Sequence, residues 1–524
     1  MLPTLRRPAA PSPRLALPAW LAADWPLPIL CLAAALMLLL DLGREPLADW
    51  DEAIFAQVAR EIVQSGDWLT LHWGYELYFN KPPLLLWLTA CAYLLFEVTE
   101  FAARLPSALA GIGLVGVTYL TGKVVYDRWA GTLGGLILLA SLQFVRFARF
   151  GTTDILLTLL IFTSLYAYLR ARSGSPHWWY LVWGGFGLAC MVKSAGALVL
   201  PATLAVALWF DGGVARAWRS GSFRGGAVLA ALIVVPWHLL MLVEYGQEFL
   251  RTYVLHNVVE RSTQAVEGHT GDWLFYVNVL QGLFFPWVYV LPFALALSLK
   301  ENLRAWSRSG PLLVLAVLVF AAYTIIPTKL RWYILPAYPA FVLLLALLLR
   351  QASIRLRSLA FAGLAVSCGL VALMVPPSLD LLLAGLVALA LVLLLAWRQR
   401  ASLLLSGALA AFLFAIGANS VATAYQVSER PLAAAAAAIR SESPSDRAPL
   451  ILYSGLGRPS ALFYSERPIQ QIKNIGQLAQ LLADGQEHWI VLRRPDLKPL
   501  QQRFDVSIVD GRRSVIAARI RARE

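Results

Sequence analysis

Residues 49–71 read DWDEAIFAQVAREIVQSGDWLTL, a polar stretch within a largely apolar chain. Ile54, Val58 and Ile62 form one apolar stripe at helical spacing and predict a helix over residues 53–65. Gly66 can end this helix, because glycine readily adopts the left-handed conformation that follows a last helical turn. The polar residues of the stretch argue against its crossing a membrane, so we expect it to lie in a loop.

The rest of the chain has the composition of a membrane protein. Of its 524 residues 59% are hydrophobic and 14% are charged, whereas soluble domains carry about 25% charged residues and about 45–50% apolar ones. The shortage of charge excludes a disordered chain, a nucleic-acid-coating chain and a water-exposed globule. The net charge of +13 is typical of basic cytoplasmic loops in such a chain, so no nucleic-acid partner is expected.

Apolar stretches close to the roughly 20 residues that cross a bilayer recur along the chain and predict about 13 spans. Clusters of Lys and Arg, such as Arg170 and Arg172, fall in alternate connections between these stretches. The positive-inside rule therefore places these connections and the N-terminus in the cytoplasm. The predicted spans are 26–43, 102–122, 129–148, 154–171, 177–192, 195–210, 226–244, 280–298, 311–327, 332–349, 356–375, 378–397 and 402–423.

The segment 82–97 is apolar, but it is short and opens with Pro82 and Pro83. If it crossed the membrane, every later basic connection would face the wrong side. We therefore predict an interfacial helix inside a first outer loop, 44–101, and a further outer loop at 245–279. The composition turns polar near residue 425, which predicts a transmembrane domain over 1–424 and a small extracytoplasmic α/β domain over 425–524.

Three acidic residues on the outer side are candidates for catalysis: Asp51, Glu52 and Asp154. Asp154 opens a span, and a carboxylate at that depth usually marks a function or a buried partner. The alternatives are structural, because Asp51 and Asp154 can be N-caps and Glu52 can complement a helix dipole. The Cys residues lie in apolar runs without paired spacing and predict neither a disulfide framework nor a zinc site.

Basic residues on the outer face oppose the positive-inside trend. Each one can simply extend its charge to lipid headgroups. Cations that gather beside carboxylates at a membrane surface instead suggest a site for a lipid-anchored phosphate. The candidates are Lys81, His256, Arg261, His269, Lys329 and Arg331, and Arg149 approaches the same edge.

The stretch 49–71, followed by YFNKPPLLLWL at 78–88, strongly resembles the first outer loop of bacterial polyprenyl-phosphate-sugar glycosyltransferases of the GT-C fold. These are the lipid A aminoarabinose transferases and their protein O-mannosyltransferase relatives. The likeness continues through FAARLPSAL, RFGTTDILL, HNVVERSTQAVEGHTGDWLFYV, FFPW and TKLRWYILPAYPA, in order over roughly residues 45–345. The order and sidedness of these motifs together make the resemblance specific.

The resemblance implies a sugar donor carried on undecaprenyl phosphate and used at the outer face of the bacterial inner membrane, with a lipid, glycan or protein as acceptor. It implies that Asp51 and Asp154 are the two outer-loop aspartates of the family, with Asp51 the catalytic candidate and Glu52 beside it. Lys81 matches the lysine of the family's Lys-Pro motif, Tyr78 the preceding aromatic residue and Arg60 the arginine of the first juxtamembrane helix. It implies donor-phosphate contacts at His256, Arg261, Lys329 and Arg331.

The chain departs from the aminoarabinose transferases at Asn80, where those enzymes often carry Glu. The amino sugar, lipid A and a divalent metal ion therefore stay open, and no metal-ligand residue is assigned. The expected reaction displaces a lipid phosphate from the anomeric carbon with inversion. Cations stabilise the leaving phosphate, and Asp51 acts as base for a hydroxyl acceptor. The rival readings are a polyprenyl-lipid flippase or permease without transferase chemistry and a non-catalytic assembly subunit.

Overall fold

The computed structural model describes residues 24–351, except 267 and 286, and residues 430–523, except 445, 447, 455–458, 512 and 513. Its first part is helical and its second part is built around a β-sheet. The predicted spans at 356–375, 378–397 and 402–423 lie outside the described residues. The number of spans therefore stays a prediction.

The helices of the first part follow from long apolar runs with few breaking residues. They are α1 (Pro26–Leu39), α2 (Asp51–Ser65), α3 (Leu84–Phe96), α4 (Glu100–Val125), α5 (Arg128–Leu139), α6 (Leu142–Ala148), α7 (Thr153–Arg172), α8 (Trp178–Ala197), α9 (Val199–Phe210), α10 (Val214–Arg219), α11 (Gly221–Phe249), α12 (Phe275–Leu283), α13 (Leu291–Arg304), α14 (Gly310–Ile325) and α15 (Tyr338–Gln351). Short 3-10 turns lie at Trp287–Tyr289 and Arg331–Ala337.

Within the described residues, four helices are long and apolar enough to cross a membrane, and six if each of two bent pairs is one span. The bent pairs are α5 with α6, at 70°, and α8 with α9, at 93°. Helices α8 and α11 approach closely at Gly187, where a Cβ atom would stand 3.1 Å from the Cα of Ala230. Small residues at such crossings let the two backbones approach closely, so that membrane helices associate through van der Waals packing.

Two predicted elements differ in detail from the structure. The predicted span 280–298 is divided between α12 and α13, and Pro292 stands in the first turn of α13, where proline is well tolerated. Helix α11 bends at Gly246, whose φ is 48°, and continues as a π-helix, Leu250–Glu260, into the predicted outer loop. The segment 82–97 forms α3, a helix of 13 residues, which is too short to cross a bilayer upright.

The second part has helices α16 (Arg430–Glu442), α17 (Pro459–Ser465), α18 (Ile475–Leu481) and α19 (Arg494–Gln501). Its strands are β3 (Leu450–Tyr453), β4 (Ile469–Ile472), β5 (His488–Arg493), β6 (Phe504–Asp510) and β7 (Val515–Ala522), and a small hairpin, β1 (His72–Trp73) with β2 (Glu76–Leu77), belongs to the first part. The sheet order is β4-β3-β5-β7-β6, with β3 parallel to β4 and β5 and the other pairs antiparallel.

Alternating residues of β3 enter different cores, as the two-residue period of a strand requires. Ile451 packs with α18 and α19 residues on one face of the sheet, and Leu450 and Leu452 pack with α16 residues on the other. The second part is therefore an α/β unit with helices on both faces of a mixed sheet.

Candidate active site

Asp51 and Lys81 are two charged groups that the fold leaves without a direct partner. Asp51 is the first residue of α2, and Lys81 lies in the loop before α3. Neither side chain forms a hydrogen bond or an ion pair with any residue that the structure describes. Burial lowers the pKa of Lys81, and the neighbouring Asp51 carboxylate partly offsets that effect. Both charges are available to a ligand.

Asp154 lies beside these groups and is paired with Lys193. The Nζ of Lys193 donates a hydrogen bond to the Asp154 carboxylate at 2.9 Å, and both side chains are largely buried. Lys193 sits where the backbone of α8 leaves helical geometry, with φ −162° and ψ 88°. Its Nζ also stands 4.5 Å from the ring centroid of Tyr333. The charges of Asp154 and Lys193 both influence the pKa of Lys81, so the pair shares its surroundings.

Arg261 completes this group, since its charge further lowers the pKa of Lys81. It follows the π-helix Leu250–Glu260, which rises from α11. The charges that act on one another around Lys81 therefore come from α2, the loop before α3, α7, α8 and the turn after the π-helix, and they are those of Asp51, Lys81, Asp154, Lys193 and Arg261. Three cations and two carboxylates leave a net positive site, which suits an anionic ligand such as a phosphate.

His256 and His269 engage other residues. His256 pairs through Nδ1 with Glu260 at 2.8 Å on the exposed side of the π-helix. The carbonyl oxygen of His269 accepts the backbone N–H of Lys329 at 2.9 Å, which joins the loop before α12 to the loop after α14.

Glu52 is buried and fully engaged in structural bonds. One oxygen accepts from Arg104 Nε at 2.8 Å and from the Gly151 N–H at 2.9 Å. The other accepts from the Ala48 N–H at 2.7 Å and from Arg104 Nη2 at 3.1 Å. These four bonds use the roughly four lone-pair sites of a carboxylate. The geometry therefore favours a positioning role for Glu52 over the predicted catalytic one, because the residue ties the loop before α2 to the loop before α7.

Arg149 and Lys329 cap helix ends instead of facing the group around Lys81. Arg149 Nη1 donates to the carbonyl oxygens of Met37, Leu38 and Leu40 at the end of α1, at 3.0, 3.2 and 2.8 Å. Lys329 Nζ donates to the carbonyl oxygens of three residues at the end of α14, Tyr323, Thr324 and Ile326, at 2.9, 2.5 and 2.6 Å. A cation at a helix C-terminus satisfies orphan carbonyls and complements the helix dipole.

The remaining predicted donor contacts lie in other surroundings. Arg60 is buried against Phe463 and Glu466 of the second part. Tyr78 is buried, and its backbone N–H donates to the Leu71 carbonyl. Arg331 is exposed at the start of the 3-10 turn before α15. Among the described residues, Lys81 and Arg261 are the predicted donor contacts whose charges are linked to the two aspartates.

Neither aspartate is an N-cap, so that structural alternative is wrong for both. The N-cap residues are Trp50 for α2 and Thr152 for α7. Nor do the two aspartates fit a divalent metal ion, because Asp154 is paired with Lys193 and Lys81 stands nearby. The part of the chain that the structure describes contains no group of three or more His, Cys, Asp or Glu residues that could hold a metal ion.

Comparisons with known proteins identify relatives of the whole fold. Residues 80–239 match the sequence profile of the family described as dolichyl-phosphate-mannose-protein mannosyltransferase. The fold is similar to the crystal structure of ArnT from Cupriavidus metallidurans bound to undecaprenyl phosphate, with a TM-score of 0.76 over 96% of this chain and 98% of that chain, at 24% identity. These matches support the resemblance to the aminoarabinose transferases and protein mannosyltransferases of the GT-C fold.

Two further GT-C likenesses are informative. The chain is 31% identical over 354 residues to undecaprenyl phosphate-alpha-4-amino-4-deoxy-L-arabinose arabinosyl transferase 1 of Pseudomonas fluorescens. That match covers 65% of this chain and 62% of the relative, so the chain spans about three fifths of the length of the curated protein it matches. A more distant likeness, with a TM-score of 0.53 at 15% identity, is to the archaeal oligosaccharyltransferase AglB from Archaeoglobus fulgidus, over 87% of this chain and 65% of that one.

Lys193 is a member of the group around Lys81 to which the sequence assigned no role in the site. A signal was present, since Lys193 is a lysine between two predicted spans on the outer side, where the positive-inside trend is opposed. Its pairing with Asp154 joins residues 39 positions apart. This contact depends on how α7 packs on α8, and the hydrophobic period of each helix does not predict that packing.

Proposed function

We propose that this chain is a membrane glycosyltransferase that moves a sugar from a polyprenyl-phosphate donor to a lipid, glycan or protein acceptor at the extracytoplasmic face. The observation that carries the proposal is that Asp51 and Lys81 have no hydrogen-bond or ion-pair partner among the described residues, while the charges of Asp51 and of the Asp154–Lys193 ion pair both act on Lys81. Transfer from a phosphate leaving group to a hydroxyl requires a base for the hydroxyl and a cation for the phosphate, and Asp51 and Lys81 supply these two groups.

In the proposed reaction, the acceptor hydroxyl attacks the anomeric carbon from the side opposite the phosphate. The bond between that carbon and the phosphate oxygen breaks, and the configuration inverts. Asp51 takes the proton of the hydroxyl, while Lys81 and Arg261 stabilise the charge that develops on the leaving phosphate. Asp154 holds the ammonium of Lys193 at the same site. An acceptor that is already ionised, such as a phosphate, would need orientation alone.

The relatives support undecaprenyl phosphate as the carrier, since the Pseudomonas fluorescens protein is named for an undecaprenyl-phosphate-linked aminoarabinose. The sugar and the acceptor are open, because Asn80 stands where aminoarabinose transferases often carry Glu. In this proposal the protein is a multi-pass protein of the bacterial inner membrane. Residues 1–424 form the catalytic transmembrane domain, and residues 425–524 form a domain on the outer side. His256, His269 and Arg331 stay proposed donor contacts.

The test uses the purified full chain in lipid nanodiscs. The probes are undecaprenyl phosphate bearing aminoarabinose, mannose or glucose, each offered with lipid A, and the readout is mass spectrometry of the lipids. A transferase releases undecaprenyl phosphate and glycosylates the acceptor, whereas a flippase leaves the donor intact and only relocates it. We expect acceptor-dependent release with at least one donor. Intact donor in every mixture, together with donor movement across proteoliposomes, would overturn the proposal in favour of the flippase.

A further inference from the structure

Helix α17 of the second part packs onto α2, the helix that carries Asp51. Phe463 is 3% exposed and belongs to the core of the first part, not to the cores beneath the sheet. The guanidinium of Arg60 stands 3.9 Å from the centroid of the Phe463 ring and donates to the Phe463 carbonyl oxygen at 2.5 Å. Glu466 pairs with the same guanidinium at 3.4 Å. A buried cation thus joins α17 to α2.

The same helix also holds the residues immediately before Asp51. The N–H of Leu47 donates to the Tyr464 hydroxyl at 2.8 Å, and that hydroxyl donates to Glu100 at 2.9 Å. The N–H of Ser460, in the first turn of α17, donates to the Asp49 carboxylate at 2.8 Å. Two hydrogen bonds from α17 therefore fix positions 47 and 49, more than 400 residues away in the chain.

Trp50, between Asp49 and Asp51, has φ 68° and ψ −125°. Residues with a side chain rarely adopt this conformation, and it persists only where the surrounding contacts over-determine it. The side chain of Trp50 is 67% exposed, so its own packing does not hold the backbone. The contacts on either side of it must do so, namely the bonds of α17 to positions 47 and 49, the bond of the Ala48 N–H to Glu52, and the start of α2 after it.

We propose that Asp49 and Tyr464 are positioning residues through which the second part of the chain aims Asp51 at the reacting centre. The inference rests on the proposed role of Asp51 as the base. Lys81, Lys193 and Arg261 lie on other elements, so loss of the α17 contacts leaves donor binding in place. The predicted signature is a lower kcat with an unchanged KM for the donor.

The test compares three variants of the full chain in nanodiscs, with the donor and acceptor that the wild type turns over. Asp49→Ala removes the acceptor of the Ser460 N–H, whereas Asp49→Asn keeps an oxygen in its place. Asp484→Ala is the matched control, because Asp484 accepts the N–H of Gln486 within the second part. We expect kcat of Asp49→Ala to fall on the order of tenfold with donor KM within about twofold of wild type. Asp49→Asn and Asp484→Ala should retain the wild-type kcat.

Hydrogen–deuterium exchange of a peptide covering residues 44–53 gives a readout that does not depend on turnover. Exchange should be faster in Asp49→Ala than in wild type, and Asp49→Asn should restore protection. A wild-type kcat in Asp49→Ala, a raised donor KM with intact kcat, an equal kcat loss in Asp49→Asn, or unchanged exchange would each overturn the inference. If the wild type itself turns over no donor, the proposed function fails, while the exchange measurement still decides whether α17 holds this segment.

Discussion

At the scale of single residues, the site depends on which charges the fold neutralises and which it leaves open. Glu52 and Asp154 both have close partners, whereas Asp51 and Lys81 have none among the described residues. A carboxylate whose oxygens accept bonds from a close partner has fewer lone pairs free to accept the hydrogen bond of an acceptor hydroxyl. Asp51 is therefore the carboxylate best suited to act as a base.

Substitution of Asp51 tests this assignment. Asp51→Asn keeps the shape of the side chain but removes the base, so transfer to a hydroxyl should fall by about 10²- to 10⁴-fold. The thermal unfolding midpoint should stay unchanged, because Asp51 makes no hydrogen bond to a described residue. Asp67→Asn is the control in the same loop, since Asp67 only accepts the N–H groups of Leu69 and Thr70. Near-normal product formation by Asp51→Asn would remove Asp51 from the mechanism.

The lowered pKa of Lys81 predicts that kcat/KM for the donor depends on pH. Burial lowers the pKa of its ammonium from the ordinary value of 10.5, with Asp51 raising it in part and Lys193 and Arg261 lowering it further. The protonated form binds phosphate, so kcat/KM for the donor should decline as pH rises through this lowered pKa. In Lys81→Arg the guanidinium stays charged, and the alkaline decline should move to higher pH. An identical alkaline limb in both proteins would show that Lys81 is not the group that titrates.

At the scale of elements, the buried ion pair of Glu52 with Arg104 joins α2, α4 and the loop before α7. Glu52→Gln leaves the Arg104 charge buried without its partner, which costs about 3–5 kcal/mol. We expect a clear drop in the thermal unfolding midpoint in detergent. Asp41→Asn is the control, because its ion pair with Arg44 is exposed and such pairs contribute about 0–1 kcal/mol. Equal midpoints for the two variants would contradict a structural role for Glu52.

Substitution of Lys329 distinguishes a helix-capping role of this residue from the predicted phosphate contact. Lys329→Ala removes three hydrogen bonds from a charged group to the end of α14, so stability should fall by at least the roughly 1.5–3 kcal/mol that one such bond contributes. Donor KM should be unchanged. Lys300→Ala, on an exposed position of α13, is the control for loss of a lysine. A raised donor KM with unaltered stability in Lys329→Ala would return Lys329 to the phosphate site.

Helices could be predicted from the sequence where a hydrophobic period or a helix-ending residue such as glycine marks them. The stripe of Ile54, Val58 and Ile62 predicted a helix at 53–65, and the structure has it from Asp51 to Ser65, with Gly66 in the left-handed conformation at its end. The partners of Arg60, Arg149 and Lys329 were not accessible. Two of these side chains bond to backbone carbonyl oxygens at remote positions or at helix ends, and Arg60 bonds across 403 residues. A local pattern of residue types does not indicate a hydrogen bond to a backbone carbonyl oxygen that is remote in the chain.

At the scale of the whole molecule, the order of motifs predicted a resemblance to the GT-C family, and the comparisons support that resemblance. The family follows from short motifs such as 78–88, which can be read locally. The site cannot be deduced from short motifs, because its five charged residues come from positions between 51 and 261 and approach one another only when the helices pack. The sidedness of the chain rests on the distribution of Lys and Arg and stays a prediction.

Cysteine labelling tests that sidedness. In a chain whose four cysteines are replaced by serine, Ser507→Cys places a thiol on an exposed position of β6, and Ser175→Cys places one between α7 and α8, next to Arg170 and Arg172. The positive-inside rule puts Ser175 in the cytoplasm and the second part of the chain outside. A membrane-impermeant maleimide should therefore label Cys at 507 in intact spheroplasts and Cys at 175 only after permeabilisation. The reverse labelling pattern would mean that the chain has the opposite orientation in the membrane, with Asp51 and Lys81 on the cytoplasmic face.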